Sequence, residues 1–326
     1  MNILIIGGSN FIGWRFVGFL EEDEHTITVI NRGNRQRQYP SNIRHIISDR
    51  NDRERIKKII EGQFYDVVYD MCASNGDDMK YTVDLFNGKT QKYVFISSAA
   101  SYLEPSILPI AEDYKQGIHA IWGRYGGGKL ECETILMDAY KNIGFPSVII
   151  RPSYVYGIGN TIDRETFLFD RISKGRPILI PGDGDSVIQL GEVSDLCEAL
   201  LVLGKSTKGT GECYNVSGNE YVTLNSLVSI VASIVKKDYK TISIFPAKYE
   251  MKDRDIFPFD NCTYFTSCKK FSEEFHWEPK VTLIEGLQSA YLDWVNSLER
   301  LATKYKNEDI VLADLSARQM IQKCNR

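Results

Sequence analysis

The sequence predicts an α/β protein built on a doubly wound parallel sheet, followed by a smaller mixed α/β lobe. Three observations predict this fold. Up to about residue 155, short apolar segments alternate with longer amphipathic ones, which is the order of strands and crossover helices in such a sheet. Several short segments are apolar throughout, as expected for strands covered by helices on both faces. A glycine turn joins the first short segment to the first amphipathic one, where doubly wound sheets bind ligands.

The expected strands in this part of the chain are Asn2–Ile6, Thr26–Asn31, Arg44–Ile47, Asp66–Met71, Lys92–Ile96 and Ser147–Arg151. The expected helices are Phe11–Glu21, Asp52–Glu61, Met79–Phe86 and Lys129–Lys141. After residue 157, loops rich in glycine and proline separate isolated strand–helix units. We therefore expect a dinucleotide-binding Rossmann domain over 1–157, with parts of 187–217 returning to its sheet. A substrate-binding lobe over 158–300 and a charged C-terminal tail over 301–326 are expected to follow.

Composition excludes several classes of protein. Hydrophobic residues make up 43% of the 326 residues and charged residues 25%, which is typical of a globular chain. The net charge of −4 gives no general attraction to nucleic acid or to an anionic membrane, and apolar runs such as Asn2–Ile6 are too short to span a bilayer. The seven cysteines form no Cys-x-x-Cys pair, and the four histidines lack metal-ligand spacing. We expect a soluble cytoplasmic protein with reduced thiols, no metal and no export signal.

The segment Gly-Gly-Ser-Asn-Phe-Ile-Gly, residues 7–13, is a candidate phosphate site. Gly7 permits a sharp turn, and Gly13 permits close packing of the first helix on the sheet. Backbone N–H groups at the start of that helix, together with the helix dipole, favour a pyrophosphate. The predicted cofactor contacts in this segment are Gly7, Ser9, Asn10, Phe11, Ile12 and Gly13.

The ends of the second and third strands carry further candidates. NAD-specific sites usually place Asp or Glu after the second strand to bind the ribose 2′-hydroxyl, whereas this chain has Asn31 followed by Arg32 and Arg35. The pattern predicts NAD(P) with a preference for NADP, because arginine suits a 2′-phosphate; the alternative is a solvated basic turn. After the third strand, Asp49 is either an acceptor for the adenine amino group or a helix N-cap.

The candidate catalytic residues are Ser98, Tyr125 and Lys129. Tyr125 and Lys129 are spaced i, i+4 and share one helix face, so the ammonium, with an oxidised nicotinamide, would make the phenol a usable base near neutral pH. Ser98 follows the fifth strand, at the sheet edge where ligands bind, and is placed to hold a substrate hydroxyl.

In this order the residues resemble the extended short-chain dehydrogenase/reductases, the NAD-dependent epimerase/dehydratase family. The resemblance rests on the glycine segment, Ser98 four residues before Tyr102, the Tyr125/Lys129 pair and Arg-Pro-Ser-Tyr-Val-Tyr-Gly at 151–157. Longer phrases at 31–33, 189–196, 214–223 and 257–259 are similar to a subgroup that includes the chloroplast stem-loop-binding proteins.

The resemblance implies further contacts. Lys129 would bind the nicotinamide ribose, and a homodimer through a helix pair is expected by analogy with the family. The additional cofactor contacts it implies are Arg50, Cys72, Ala73 and Pro152. The substrate contacts it implies are Ser98, Tyr154, Arg164, Gln189 and Arg254.

Two departures from the family pattern bear on the chemistry. Three glycines, 126–128, lie between Tyr125 and Lys129, and each costs a helix interior about 1 kcal/mol relative to alanine. The catalytic helix is therefore expected to begin near Lys129 or to be poorly ordered when empty. Where 4,6-dehydratases of this family carry an Asp-Glu pair, this chain has Ala99 and Ala100, which can be neither acid nor base. Dehydration is thus disfavoured.

The leading hypothesis is an NAD(P)-dependent epimerase or oxidoreductase acting on a sugar nucleotide or a similar hydroxyl or keto substrate. One alternative is an RNA-binding or RNA-processing protein, for which the cluster Arg32, Arg35 and Arg37 is the only candidate basic track. Because that cluster overlaps the expected cofactor site, nucleic acid is not the expected partner. The other alternative is a cofactor-binding regulator without turnover.

Overall fold

A computed structural model of the protein describes residues 1–21, 24–35, 37–297 and 304–324. Its strands are β1 (Asn2–Ile6), β2 (Thr26–Asn31), β3 (Ile43–Ile47), β4 (Tyr65–Asp70), β5 (Thr90–Ile96), β6 (Ser147–Pro152), β7 (Tyr154–Tyr156), β8 (Ile178–Pro181), β9 (Val187–Glu192), β10 (Cys213–Val216), β11 (Tyr221–Thr223) and β12 (Thr241–Ile244). Its α-helices are α1 (Phe11–Leu20), α2 (Arg53–Ile60), α3 (Gly76–Phe86), α4 (Gly123–Ile143), α5 (Glu165–Ser173), α6 (Val193–Lys205), α7 (Leu224–Val235), α8 (Lys269–Phe275), α9 (Leu283–Asn296) and α10 (Lys306–Cys324). All six strands and four helices expected before residue 155 are present.

The main sheet has seven strands in the order β10-β6-β5-β4-β1-β2-β3, and neighbouring strands pair in parallel. The strand order reverses between β1 and β4, and doubly wound sheets bind ligands at the carboxyl ends of the strands beside such a reversal. The expected doubly wound α/β fold is confirmed.

Alternate residues of β1 belong to different hydrophobic clusters. Ile3 and Ile5 pack in a cluster that includes residues of α1 and α6, whereas Leu4 and Ile6 pack in a second cluster that includes residues of α2, α3 and α4. Because successive strand side chains point to opposite faces, the continuous apolar run of β1 is explained by helices on both faces of the sheet.

The chain divides into two compact units. Unit 1 comprises residues 1–155, 189–219 and 265–282, and unit 2 comprises 156–188, 220–264 and 283–326. Strand β10 lies beside β6 in the sheet of unit 1, and α8 packs against β10. Within unit 2, β8 and β12 pair in parallel, and α5, α7 and α9 pack against one another. Within the described ranges, no helix combines the length and the apolar character needed to cross a bilayer.

The segment 301–326, expected as a tail beyond the compact fold, is corrected in part by the structure. Glu308 and Val311 of α10 are buried, and the Arg171 guanidinium of α5 donates to the Glu308 carboxylate at 3.1 and 2.6 Å. A buried charge needs such a partner, so this part of the segment is packed within unit 2. Residues 298–303 and 325–326 lie outside the described residues.

Candidate functional site

The glycine turn after β1 brings the start of α1 into direct backbone contact with the turn. Gly7 has φ +101°, and a Cβ added at Gly13 would lie 2.4 Å from the Gly7 carbonyl oxygen. Asn10 precedes α1 in an extended conformation, and its exposed side chain makes no capping hydrogen bond. The first-turn amides of α1, which include Phe11 and Ile12, therefore keep the donors that suit an anion at a helix N-terminus.

The end of β2 is organised by Asn31. The Asn31 Oδ1 atom accepts from the Gly33 backbone N–H at 2.9 Å, and its Nδ2 donates to the Tyr39 hydroxyl at 3.2 Å. The Tyr39 hydroxyl in turn donates to the Gly8 carbonyl at 2.8 Å. Arg32 and Arg35, the predicted phosphate contacts, are both exposed. The backbone carbonyl of Gly8 is thus linked to the end of β2 through Tyr39, a residue that the sequence did not single out.

Arg37 is the arginine of this loop that contacts the glycine segment. Its guanidinium lies 4.3 Å from the centroid of the Trp14 ring on α1, and its Nε donates to the Ser9 carbonyl at 3.3 Å. Cation–π contact and hydrogen bonding together hold this side chain beside the start of α1. The sequence pattern alone did not distinguish Arg37 from its neighbours in the basic cluster.

Asp49 lies after β3 and its Oδ1 accepts from the Asn51 backbone N–H at 2.9 Å. The N-cap of α2 is Asp52, whose side chain accepts from the Arg55 backbone N–H. The alternative that Asp49 caps this helix is therefore wrong, because the helix begins three residues later than that role requires. The adenine contact of Asp49 stays a prediction.

A buried ion pair shapes the loop after β4. The Arg50 Nη1 atom donates to Asp70 Oδ1 at 2.9 Å, and the same oxygen accepts from the backbone N–H groups of Cys72 and Ala73, each at 2.9 Å. Burial alone would raise the pKa of the fully buried Asp70, but Arg50 and the Tyr93 hydroxyl hold that pKa below its ordinary value. The Asp70 carboxylate, paired with Arg50, therefore holds the Cys72–Ala73 loop. This loop lies beside the glycine turn, since a Cβ at Gly7 would lie 3.2 Å from Cys72 Cβ.

Lys129 is buried on α4, and its side chain is held by hydrogen bonds to two backbone carbonyl groups. Its Nζ donates to Ala73 O at 2.9 Å and to Ile96 O at 2.7 Å, and it lies 4.8 Å from the centroid of the Phe95 ring. Ile96 is the last residue of β5, so the ammonium is held at the carboxyl edge of the sheet between β5 and the loop after β4.

Ser98 and Tyr125 flank the same edge. Ser98 caps the short 3₁₀ helix Ala99–Ser101, and its Oγ accepts from the Ala100 N–H at 3.2 Å. Tyr125 lies one turn before Lys129 on α4, and its side chain is 57% exposed. A Cβ at Gly126 would lie 2.1 Å from the Ala100 carbonyl oxygen, so the residue beside Tyr125 contacts the turn that begins at Ser98. The three predicted catalytic residues are thus brought to one edge of unit 1.

The expectation that α4 begins near Lys129 is wrong. Helix α4 begins at Gly123 and contains all three glycines. Gly126 contacts the Ala100 carbonyl, and a Cβ at Gly128 would lie 2.1 Å from the Ser74 carbonyl oxygen. Both glycines are needed because two neighbouring backbones approach the helix too closely for any side chain.

The predicted substrate contacts are divided between the units. In unit 1, Tyr154 is partly exposed, and Pro152, a predicted cofactor contact, is buried at the end of β6. Gln189 is buried, and both polar atoms of its amide are occupied: Nε2 donates to the Gly218 and Thr266 carbonyls, and Oε1 accepts from the Thr266 N–H and hydroxyl. The prediction that Gln189 binds substrate is therefore wrong, because its hydrogen-bonding capacity is used within the fold.

In unit 2, Arg164 immediately precedes α5 and the Arg254 side chain is 40% exposed, with its Nε 3.6 Å from Asp260 Oδ2. Behind Arg164, the buried Glu165 carboxylate accepts from the Gly157 N–H at 3.0 Å and from the Asn160 amide. Burial raises the pKa of Glu165 to about 7. Arg164 and Arg254 stay candidates for phosphate contact.

The chain is similar to several known proteins. A family model described as "NAD dependent epimerase/dehydratase family" matches residues 3–217. The chain is 31% identical to the chloroplast stem-loop binding protein of 41 kDa b of Arabidopsis thaliana, over 95% of this chain and 84% of that protein. It is 24% identical to dTDP-glucose 4,6-dehydratase of Haemophilus influenzae, over 88% of this chain and 96% of that protein.

Among solved structures, UDP-glucose 4-epimerase of Thermotoga maritima with UDP-glucose matches with a TM-score of 0.79 and 21% identity. The match covers 92% of this chain and 100% of that one. At this identity the likeness shows a shared fold.

Proposed function

Because this chain belongs to the NAD-dependent epimerase/dehydratase family, we propose that it is an NAD(P)-dependent epimerase or oxidoreductase that acts on a nucleotide sugar or a similar hydroxyl or keto substrate. The observation that carries the proposal is the buried Lys129 ammonium, fixed between the Ala73 and Ile96 carbonyls, with Tyr125 one turn away and Ser98 two residues beyond Ile96. An acid–base residue, an ammonium and a hydroxyl at one sheet edge are what hydride transfer to or from a carbinol carbon requires.

The residues present fit a dinucleotide. The glycine turn leaves backbone donors of α1 without a side-chain cap, and the absence of a side chain at Gly7 and Gly13 keeps the turn open to a pyrophosphate. Asp49, the Cys72–Ala73 loop and Lys129 follow the same edge of the sheet toward Ser98. When bound, the nicotinamide would accept a hydride from the substrate carbon and, in an epimerase, return it to the opposite face.

The remaining steps belong to side chains of this chain. The Tyr125 phenolate, stabilised by the Lys129 ammonium, takes the proton from the substrate hydroxyl as the hydride leaves and becomes the neutral phenol. Ser98 orients the substrate oxygen: its Oγ already accepts from the Ala100 N–H, and no acceptor for its own proton is found among the described residues, so that proton is available to the substrate.

A 4,6-dehydratase activity is disfavoured even though one relative is named for it. Elimination of water requires an acid and a base at adjacent carbons. The positions after Ser98 are Ala99 and Ala100, both buried, and neither can transfer a proton. The proposed product is an epimer or a simple redox product.

The preference for NADP rests on the end of β2. Asn31 carries no negative charge to repel a 2′-phosphate, and its polar atoms are held by Gly33 and Tyr39. The exposed side chains of Arg32 and Arg35 supply positive charge, and among the described residues neither has a hydrogen-bond or ion-pair partner that a phosphate would have to displace. A charge-assisted contact to phosphate contributes about 1.5–3 kcal/mol.

The proposal is tested by identifying the dinucleotide that co-purifies with the protein by mass spectrometry, followed by incubation with UDP-, GDP- and dTDP-sugars. NMR of the products distinguishes an epimer, a redox product and a 4-keto-6-deoxy sugar. Tight dinucleotide binding without turnover of any member of the panel would favour a cofactor-binding regulator instead.

A second candidate function, RNA binding, is favoured by the similarity to a protein named for stem-loop binding. The net charge of −4 argues against it. Retention of a stem-loop RNA that weakens steeply with salt, and that is competed by dinucleotide, would favour this function.

A further inference from the structure

A buried polar network lies one turn beyond Lys129 on α4. The Glu133 carboxylate accepts from the Ser97 hydroxyl and from the Gln116 side-chain amide at 2.5 Å. Arg151 of β6 donates to both carboxylate oxygens, with Nη2 2.7 Å from Oε2. Glu133 and Arg151 are both almost fully buried, each with a side chain 3% exposed.

Arg151 is itself held on its other side. Its Nη1 donates to the Tyr102 hydroxyl at 2.7 Å and to the Glu112 carbonyl at 3.1 Å. Burial alone would lower the pKa of the Arg151 guanidinium, but Glu133 raises it above its ordinary value, so the guanidinium stays charged. A buried, bidentate ion pair of this kind has little freedom to move.

Helix α4 contacts, one after the other, the two residues that precede Ser98. The Lys129 ammonium donates to the Ile96 carbonyl. The Glu133 carboxylate, one turn later on the same helix, accepts from the Ser97 hydroxyl. Two consecutive residues of the strand end are thus tied to two consecutive turns of the helix. Rotation or sliding of α4 relative to Ser98 would break both contacts.

The helix needs such an anchor because its first turns are weak. Three of the four residues from 126 to 129 are glycine, and glycine disfavours a helix interior through its backbone freedom. The position of Tyr125 is therefore set by tertiary contacts made further along the helix rather than by the local preference of its own turn.

Resting on the proposed function, we propose that Glu133 is a positioning residue: supported by Arg151 and joined to Ser97, it fixes the register of α4 and so holds Tyr125 and Lys129 in line with Ser98. Glu133 touches neither substrate nor cofactor in this scheme. It acts through the helix that carries the base and through the strand end that carries the serine.

The test compares Ser97→Ala, which removes one hydroxyl from the network, with Thr134→Ala, which alters the exposed neighbour of Glu133 on the same helix. In Ser97→Ala, amide hydrogen exchange at residues 125–129 is expected to rise at least about tenfold, while the amides of Val67 and Val94 in the central sheet keep their protection. Thr134→Ala should change neither. Glu133→Gln, which leaves Arg151 without its counter-charge, should give the larger rise if it folds.

Two further measurements separate positioning from general destabilisation. With a nucleotide sugar that the parent turns over, kcat of Ser97→Ala should fall about tenfold to hundredfold, the range typical of one hydrogen bond to a charged group, with KM within about twofold because no substrate contact is lost. Adding Gly127→Ala, whose Cβ would make only ordinary contact with Ile118, should restore both the protection and part of kcat, because alanine strengthens the helix start.

Unchanged exchange at 125–129 in Ser97→Ala, or an equal rise in the central strands, overturns the positioning role. If the exchange pattern appears as expected but the parent turns over no nucleotide sugar, the proposed function fails while the anchoring of α4 by Glu133 stands. If the parent is active and both kcat and exchange are unaffected by Ser97→Ala, the positioning role fails alone.

Discussion

Glycines lie at or near the starts of both α1 and α4, but they have different roles in the two helices. At α1, a Cβ on Gly13 would lie 2.4 Å from the Gly7 carbonyl, so the helix packs on its own preceding turn. At α4, Gly126 and Gly128 lie against carbonyls of Ala100 and Ser74, which belong to other segments. The first contact is local in sequence and lies at the proposed pyrophosphate site. The second is long-range and brings a helix face to the edge of the sheet.

The comparison shows why glycine alone is an ambiguous signal. A run of glycines weakens a helix by about 1 kcal/mol per residue, and from sequence that cost predicts a frayed start. Where the missing Cβ allows another backbone to approach, the same glycines allow the helix to pack at that position. Substituting the glycines one at a time separates those that permit an approach from those that do not.

The largest expected effect is on kcat, because the proposed base Tyr125 lies in the first turn of α4. Tyr125→Phe should lower kcat by about 10²–10⁴-fold, because the proton path is lost, and leave dinucleotide affinity unchanged, because the proposed pyrophosphate site lies at the start of α1 and does not include Tyr125. Steady-state kinetics and titration calorimetry measure the two. Tyr140→Phe, at an exposed tyrosine on the same helix, is the control. A variant that keeps more than about a tenth of the activity excludes Tyr125 as the base.

The next largest effect is expected from a comparison of two neighbouring glycines within α4. Gly128→Ala should destabilise the protein by about 1–3 kcal/mol, as is typical of overpacking, because its Cβ would meet the Ser74 carbonyl at 2.1 Å. Gly127→Ala should be neutral or stabilise by up to about 1 kcal/mol. Urea unfolding midpoints measure both. Equal effects of the two substitutions would contradict the role of Gly128, because the close approach of the Ser74 carbonyl would then make no difference to stability.

The same contrast applies to α1 with a smaller expected clash. Gly13→Ala should lower both the free energy of unfolding, by about 1–3 kcal/mol, and the affinity for a dinucleotide, since the Gly7 carbonyl must move. Gly18→Ala, where nothing lies within 4 Å of the added Cβ, should stabilise the helix and spare the affinity. Thermal unfolding with and without dinucleotide reports both quantities; a Gly13→Ala protein with parental affinity would contradict the role of this turn.

The smallest and most specific effect is on the choice of cofactor. The parent should prefer NADP to NAD, and Arg32→Ala or Arg35→Ala should reduce that preference by about tenfold, the value of one exposed charge-assisted contact. Titration calorimetry with both cofactors measures it, and Arg44→Ala, an exposed arginine on β3, is the control. A parent that binds NAD at least as tightly as NADP would defeat the preference.

The order of the elements in the first 155 residues and the residues at the sheet edge could be predicted from the sequence, because both depend on local patterns. Strand and helix periodicity follows from which faces are buried, and the glycine turn, Ser98, Tyr125 and Lys129 lie next to elements that the pattern identifies. The order of these motifs was enough to indicate the family.

Only the tertiary structure decided which polar side chains already have hydrogen-bond partners within the fold. Gln189 was expected to face a substrate, but its amide is bonded to Gly218 and Thr266, residues that are distant in sequence. The network joining Glu133, Arg151 and Ser97 also spans separate elements. A sequence pattern reports the period of one segment, whereas a buried polar group is satisfied by whichever segments the fold brings to it. For that reason the extent of α4 and the role of its glycines depend on carbonyls that no local pattern could reveal.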